Sequence, residues 1–421
     1  MTNPIQKIKG FADLFGSESA KFTRMETLAR DVFSRYGFQE ARIPLLEKTE
    51  LFARSIGTET DVVQKEMYTF DDRKGRSLTL RPEATAGMLR AYIENKLYTS
   101  DAVSKFFTFG PMFRYERPQK GRMRQFHQLD VEILGTHAPQ ADAELICMLW
   151  NFLDGLELQG IALEINSLGC KTCRPAFHDN LRSFLGTIDQ TRLCPDCNRR
   201  AQTNPLRVLD CKQAQCKELL TDAPLITDNL CPQCAEHFAQ VRRVLDQANL
   251  PYTLNHLLVR GLDYYQRTTF EFVSGHIGSQ SAVAGGGRYD GLIESLGGPD
   301  IPGIGFACGM ERLALLMPEL QSSAPDFYLA VLTENALARA LQIGEQLRQN
   351  GLQGEVAFEA KSIKSQMRQA NKTKARFALL LGEEELNTDT IIIKDMAEGT
   401  QQQVAVHNLC TCIQEQKINQ Q

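Results

Sequence analysis

The 421-residue sequence predicts an α+β domain on a mostly antiparallel sheet, ending at about residue 325, and a smaller α/β domain over residues 326–421. Three observations predict this. Short β-like runs over residues 67–72, 77–80, 106–110, 112–116, 125–134 and 161–165 are joined by turns or single helices, the pattern of an antiparallel sheet with helices packed on it. Residues 170 to about 250 interrupt that pattern with cysteine pairs and helical segments, so they read as an insertion, and strand-like runs resume at Tyr252, Thr268 and Ser281. Beyond Asp326, strand (328–332), helix (335–349), strand, helix and strand (377–381) alternate as in a small α/β unit.

The first element is a helix over residues 17–36, because Phe22, Met25, Leu28, Ala29, Val32 and Phe33 recur at helical spacing and Gly37 is placed to stop it. A strand running into Pro44 should follow. Pro318 and Pro325 bracket a polar stretch, residues 321–324, that reads as a linker.

Apolar residues make up 43% and charged residues 23%, close to ordinary globular usage, and no apolar run is long enough to span a membrane. Residues 1–15 carry no apolar core followed by a small-residue cleavage site, so no secretory signal is expected and the cytoplasm is the default location. A formal net charge of -4 argues against a generally polybasic nucleic-acid binder, so any RNA contact must be local. Eight of the twelve cysteines crowd between Cys170 and Cys234 in closely spaced pairs. A disulfide framework is not expected inside a cell, which leaves metal ligation or simple burial.

Residues 112–135 are the first to suggest chemistry. Arg114, Arg117, Lys120, Arg122 and Arg124 face a single acid, Glu116, with Pro118 and Gly121 marking a loop between two strands. Strand, basic loop and strand form a clamp for phosphates or, equally, a solvated hairpin with charged edges. On the returning strand, alternation puts Gln128, Asp130 and Glu132 on one face and Leu129, Val131 and Ile133 on the other. That polar row either binds a cationic or hydrogen-bonding ligand or meets solvent on an uncovered face.

This segment resembles motif 2 of class II aminoacyl-tRNA synthetases in the form seen in histidine-tRNA ligases. The resemblance extends over nearly the whole chain, through residues 78–90 (LTLRPEATAGMLR), 258–272 (LVRGLDYYQRTTFEF), 284–292 (AGGGRYDGL) and 305–313 (GFACGMERL). RGLDYY together with GGRYDG is its most specific part. It implies ATP-dependent activation of L-histidine, with Mg2+ on the phosphates, and transfer of the histidyl group to tRNA(His). Arg114 resembles the motif 2 arginine that holds the α-phosphate and the amino-acid carboxylate in line, with Glu116 beside it at the ATP. Arg312 resembles the motif 3 arginine on the γ-phosphate, and Arg260 the family's extra cation at the α-phosphate. Glu83 resembles the acceptor of the substrate α-ammonium. Proline suits a helix's first turn, which would put Glu83 and Thr85 at that helix's positive end. The resemblance places Gln128, Glu132, Tyr264, Tyr265 and Tyr289 around the imidazole. Such a site rejects apolar amino acids, because its polar groups would be left unpaired.

Arg117, Lys120 and Arg122 are candidates for tRNA contact. In the last domain, which resembles the family's anticodon-binding domain more loosely, six basic residues and no acid lie between Lys361 and Arg376. Lys361, Lys364, Arg368 and Lys372 are spaced to share a helix face, which suits a phosphate backbone or is a solvated face. Residues 361–365 (KSIKS) superficially match a class I synthetase loop, but no HIGH partner accompanies them, and there is no GxxxxGK[ST] phosphate loop. The first helix and the strand at Pro44 resemble motif 1, which implies a two-fold homodimer. The main rival is the synthetase-like regulatory subunit of ATP phosphoribosyltransferase, which typically lacks the last domain and erodes the ATP arginines. This chain keeps both.

The insertion holds Cys170-x2-Cys173, Cys194-x2-Cys197, Cys211-x4-Cys216 and Cys231-x2-Cys234. Paired in sequence order these approach zinc-ribbon spacing and allow two structural zinc sites of four thiolates each. An interleaved pairing, with Cys170 and Cys173 meeting Cys211 and Cys216, is equally allowed.

Overall fold

The computed structural model describes residues 4–57, 60–99, 103–211, 213–277, 282–320 and 324–418. The chain divides into two compact units, residues 1–320 and 321–421. The expected linker falls largely on residues 321–323, and the expected strand start at Ser281 also lies outside the described residues.

The first unit's strands are β1 (Gln39–Glu40), β2 (Leu46–Lys48), β3 (Tyr68–Asp71), β4 (Ser77–Leu80), β5 (Ser104–Phe113), β6 (Gln125–Leu134), β7 (Ile161–Ser167), β8 (Thr253–Leu254), β9 (Gln266–Ser274), β10 (Ala282–Arg288) and β11 (Gly303–Gly309). Among the described residues, eight of them form one sheet in the order β1-β5-β6-β11-β10-β9-β7-β8, and β2-β4-β3 form a small second sheet. From β5 to β7 every pairing in the large sheet is antiparallel, and only the edge pairs β1/β5 and β7/β8 are parallel.

Helix Gly16–Arg35 forms as its periodicity predicts, burying Phe22, Met25, Ala29, Val32 and Phe33, and Gly37 follows it at φ +80°. With helices Pro139–Asp154 and Pro232–Gln247 it covers one face of the large sheet, where Leu129, Val131 and Ile133 of β6 enter the main core. Phe33 sits at the centre, edge-on to Phe107 at 5.4 Å and to Phe306 at 6.1 Å between ring centroids.

Four elements differ from the expectation. The strand into Pro44 shrinks to the two residues of β1, and the run at 112–116 ends at Phe113, so Arg114 to Glu116 belong to the loop. Helix Thr85–Glu94 begins after Arg81-Pro82-Glu83, so Pro82 precedes the helix and is not in its first turn. Strand β11 was not assigned because it is rich in glycine, which strands ordinarily avoid. It forms because the glycines allow close approach: a Cβ on Gly305 would collide with the Glu132 carboxylate, and one on Gly303 with the Tyr289 ring.

Beneath the site, Arg288 at the end of β10 and Asp142 on helix Pro139–Asp154 form an ion pair with no side-chain exposure on either partner. The guanidinium donates to Asp142 at 2.5 and 3.0 Å and to the carbonyl oxygens of Thr136 (2.8 Å) and Ala138 (3.3 Å). That web fixes the direction in which the next residue, Tyr289, enters the site.

The second unit contains β12 (Phe327–Val331), β13 (Gly354–Val356), β14 (Phe377–Leu381), β15 (Thr390–Asp395) and β16 (Gln401–Ala405), in the order β13-β12-β14-β15-β16. β12 and β14 are buried along their whole length, as expected of parallel strands covered on both faces. The antiparallel β15–β16 pair was not read from the sequence. Its turn is held by the Asp395 carboxylate, which accepts from the Ala397 and Glu398 N–H groups at 2.8 and 3.0 Å.

Removing Arg288 alone strands a buried carboxylate. Arg288→Met should therefore destabilise the first unit by about 3–5 kcal/mol. Arg288→Met with Asp142→Leu should recover most of that loss in calorimetry; a double variant as unstable as the single one would show that the pair itself is not the cause.

Candidate active site

On the face of β6 opposite the core lies a cavity of about 530 Å3. The polar row predicted there does not meet solvent: Asp130 and Glu132 are each 1% exposed. The cavity is lined by Glu83 and Thr85 at the start of helix Thr85–Glu94, Gln128 and Asp130 of β6, and Arg114, Glu116 and Arg122 of the β5–β6 loop. Residues 258–265 add Arg260, Tyr264 and Tyr265, while Tyr289 follows β10 and Arg312 comes from helix Met310–Leu316.

Charge is segregated within it. On one side, Glu83 accepts a hydrogen bond from the Ala86 N–H at 3.0 Å through Oε1, while its Oε2 has no partner among the described residues. Gln128 Oε1 and Asp130 Oδ2 are likewise buried without partners. Burial raises the Glu83 pKa, and burial together with the neighbouring Glu132 and Glu83 holds Asp130 well above the usual carboxylate range. Three unpaired acceptors at one end of a cavity suit a ligand that brings N–H donors.

Arginines face them on the other side. Arg114 donates from Nε to the Pro82 carbonyl at 2.9 Å, and Arg312 donates to the carbonyls of Gly121 (3.2 Å) and Ala282 (2.7 Å). Burial, then repulsion from Arg122 and Arg114, lowers the Arg312 pKa. Arg260 is ion-paired with Glu271 and lies under the sheet's glycines, since a Cβ on Gly285 would strike its guanidinium.

Of the predicted residues, Arg114, Glu116, Arg260, Arg312, Glu83, Thr85, Gln128, Tyr264, Tyr265 and Tyr289 come together in this cavity. Arg122, grouped with Arg117 and Lys120 as a tRNA contact, instead turns into the cavity and pairs with Glu116, whereas Arg117 and Lys120 are exposed. Glu132 lies one layer deeper. Its oxygens accept from the Thr85 hydroxyl at 2.7 Å and from the Tyr289 hydroxyl, and burial raises its pKa to about 8. In the other unit, Lys364, Arg368 and Lys372 lie exposed on helix Ile363–Thr373; Lys361 precedes that helix and pairs with Glu359 at 2.8 Å, so it does not extend the stripe.

Some lining residues were not singled out from sequence. Asp130 stood in the predicted polar row, and Glu271 occupies an alternating position in β9, so both had a local signal. Arg200 and Arg207 had none, because only tertiary folding brings the insertion to the cavity wall.

The cysteine pairing departs from both arrangements considered. Cys170, Cys173, Cys231 and Cys234 converge in one group, and Cys194, Cys197, Cys211 and Cys216 in another, with sulfurs within 4.8 Å of one another. The outer pairs meet and the inner pairs meet: the sets are nested, because the segment from 174 to 230 folds back so that its ends adjoin.

A sheet antiparallel through its centre, a cavity with acidic and basic walls on one face, and a separate α/β unit define a class II aminoacyl-tRNA synthetase. The family model for histidyl-tRNA synthetase matches residues 10–313, and that for the anticodon binding domain matches residues 326–416. The chain belongs to the histidyl-tRNA synthetase family. It is 62% identical over 400 residues to the histidine–tRNA ligase of Maridesulfovibrio salexigens, covering 95% of this chain and 97% of that protein. Against the ligase of Geobacter metallireducens the identity is 51% over 402 residues, 95% of this chain and 97% of the relative. The apo S. aureus histidyl-tRNA synthetase superposes with a TM-score of 0.81 at 33% identity, over 97% of this chain and 100% of that one. A Bacillus halodurans structure described as an ATP phosphoribosyltransferase regulatory subunit/histidyl-tRNA synthetase shares the fold, with a TM-score of 0.66 at 16% identity over 90% of this chain and 99% of that one.

The raised Glu132 pKa sets a pH dependence. Its folded value, about 8, exceeds the unfolded value near 4.5, so between them the native state keeps a proton that the unfolded chain has released. The resulting stability is complete below about pH 4.5 and is lost as pH rises through 8. Glu132→Gln should therefore flatten the decline in melting temperature between about pH 4.5 and 8; parallel profiles for the two proteins would show that Glu132 is ionised throughout.

Proposed function

We propose that this cavity carries out both halves of histidine–tRNA ligation, activation of L-histidine with ATP and transfer to the 3′ end of tRNA(His). The chain is an aminoacyl-tRNA ligase that charges tRNA with histidine. One observation carries the residue assignment: unpartnered buried acceptors stand opposite crowded, half-buried arginines. An amino acid beside ATP matches both, its cationic and N–H groups meeting Glu83, Gln128 and Asp130 and the phosphates meeting Arg114, Arg260 and Arg312.

In the first step a histidine carboxylate oxygen attacks the α-phosphorus. The bond to the bridging oxygen breaks, leaving histidyl-adenylate and diphosphate. Arg114 and Arg260 hold the reacting groups in line and stabilise charge on the α-phosphate as it grows, and Arg312 holds the γ-phosphate, with Glu116 orienting Arg122 beside it. Glu66 and Glu271 border the cavity with carboxylate oxygens that would hold Mg2+, which would neutralise phosphate charge when bound. In the second step the terminal ribose hydroxyl of the tRNA attacks the histidyl carbonyl carbon and AMP leaves.

Tyr264, Tyr265 and Tyr289 surround the imidazole, and Glu132 sets Thr85 and Tyr289 from behind. Residues 326–421 act as the anticodon-binding domain, with Lys364 and Arg368 on the tRNA backbone, and residues 1–325 as the catalytic domain; Arg117 and Lys120 are placed to meet tRNA at the mouth of the cavity. A two-fold homodimer is supported by Leu45 and Leu46, exposed beside the motif 1 segment. No helix among the described residues is long and apolar enough to cross a membrane, and the cytoplasm is the expected compartment. Zinc(II), expected in the insertion, takes no part in these steps. The regulatory-subunit reading loses ground because all three ATP arginines line the cavity and the anticodon-binding family model matches the second unit.

Histidine-dependent exchange of labelled diphosphate into ATP tests the assignment. Arg260→Ala should lower exchange at least about tenfold, since one transition-state donor is commonly worth about 3 kcal/mol; near-native exchange by the folded variant would remove Arg260 from the α-phosphate. Deleting residues 326–421 should spare exchange and strongly reduce aminoacylation, and Lys364→Glu with Arg368→Glu should act in the same direction. Unchanged charging kinetics at physiological salt would make the basic stripe a solvated face only.

A further inference from the structure

Three of the insertion's helices are too short to stand alone: Pro195–Thr203 has nine residues, Leu206–Leu209 four and Ala214–Leu219 six. What they surround is a group of four sulfurs, and a second such group closes the insertion's base. All twelve cysteines are free. Sγ separations are 3.6 Å for Cys170 and Cys173, 3.9 Å for Cys170 and Cys231, and 3.9 Å for Cys194 and Cys211. A disulfide requires about 2.0 Å. Four sulfurs placed at about 2.3 Å around a tetrahedral ion stand about 3.8 Å apart, close to these three separations.

Two further features fit thiolates better than buried thiols. Backbone N–H groups donate to the sulfurs: Thr172 to Cys170 (3.3 Å), Cys231 to Cys173 (3.1 Å), Cys197 to Cys194 (3.4 Å) and Cys194 to Cys216 (3.3 Å). Cys194-Pro195 and Cys231-Pro232 each open a helix with proline in its first turn, and both cysteines have φ −66° and ψ 158°. Each set thus combines one Cys-Pro-x-Cys helix start with one other pair. Cys170, Cys194 and Cys231 are only partly buried, unlike members of a purely apolar cluster.

Both groups adjoin the loop that carries Arg260, Tyr264 and Tyr265. Between Cys197 and Cys211, Arg207 donates to the Arg260 carbonyl at 3.2 Å and Asn204 donates to the Asp263 carboxylate at 3.1 Å. Next to Cys173, Arg174 donates to the carbonyls of Tyr265 and, at 3.3 Å, Leu168. Cys194 and Cys211 themselves border the catalytic cavity.

We propose that the insertion binds two ions of a thiophilic tetrahedral metal, zinc(II), in the nested sets Cys170/Cys173/Cys231/Cys234 and Cys194/Cys197/Cys211/Cys216, and that the two metal knuckles clamp opposite ends of residues 260–265. The metals are structural. Through Arg207, Asn204 and Arg174 they position a loop of the active site without touching substrate; this second part rests on the function proposed above, and the metal sites do not.

Elemental analysis of full-length protein purified without chelator should find about two zinc per chain, with X-ray absorption giving four sulfur ligands at about 2.3 Å. Less than about a tenth of an equivalent overturns the sites, whether or not the protein catalyses exchange. Cys170→Ser with Cys231→Ser should retain about one zinc, and so should Cys194→Ser with Cys211→Ser. Pairing in sequence order or interleaved would make each double variant lose both ions, so a zinc-free variant that keeps its native circular dichroism overturns the nesting. As a check that does not remove a ligand, Arg207→Gln should keep two zinc and raise KM for histidine in exchange by at least about fivefold. Unchanged KM with zinc retained overturns the clamp but leaves the metal sites standing. Two zinc without any histidine-dependent exchange in the unaltered protein would instead count against the proposed function.

Discussion

The catalytic cavity depends on how closely strands β6, β10 and β11 approach the side chains that cross them. Gly305 leaves room for the Glu132 carboxylate, Gly303 for the Tyr289 ring and Gly285 for the Arg260 guanidinium. A single Cβ at Gly305 would drive Glu132 from the position in which it accepts from Thr85 and Tyr289. Glycine weakens a strand through lost packing and greater chain entropy. Here that cost is offset by the aromatic core on the opposite face and by the antiparallel ladders on both sides of β11.

That geometry produces an interior with two electrical ends. Glu83, Asp130 and Glu132 are buried near one another, which favours their protonated forms; on the other side desolvation lowers the pKa of Arg114, Arg122 and Arg312, and repulsion between cations adds to it for Arg122 and Arg312. Neither end is comfortable alone, because desolvated charges of one sign repel strongly. Under the proposed function, a zwitterionic amino acid with a polyphosphate would relieve both strains. The Arg288–Asp142 pair keeps a different balance: it is fully satisfied and serves as a fixed post for Tyr289.

The insertion solves a problem of size. A segment of roughly eighty residues has room for only a small apolar core, here built around Phe177, Leu181, Leu185 and Leu209, and small domains of that kind commonly rely on metal or disulfide links. Its apolar residues join a cluster with Tyr265 and Tyr289, so its order and the order of that wall of the cavity are linked through packing as well as hydrogen bonds.

The sequence alone determined the two-part organisation, the long first helix, strand β6 and the face its polar row occupies, because these follow from local periodicity. It also contained most residues of the cavity, since they lie in compact motifs whose resemblance to one family is specific. Tertiary structure decided what local rules cannot express. Strand β11 exists because its neighbours need glycine there, not because glycine favours strands. Arg122 enters the cavity while Arg117 and Lys120 stay outside, a choice made by the path of the loop after Pro118. Glu132 is one layer behind the cavity wall because Thr85 and Tyr289, distant in sequence, stand in front of it. The cysteine sets are nested because residues 174–230 return to their starting point, and spacing along a chain carries no information about where its ends meet.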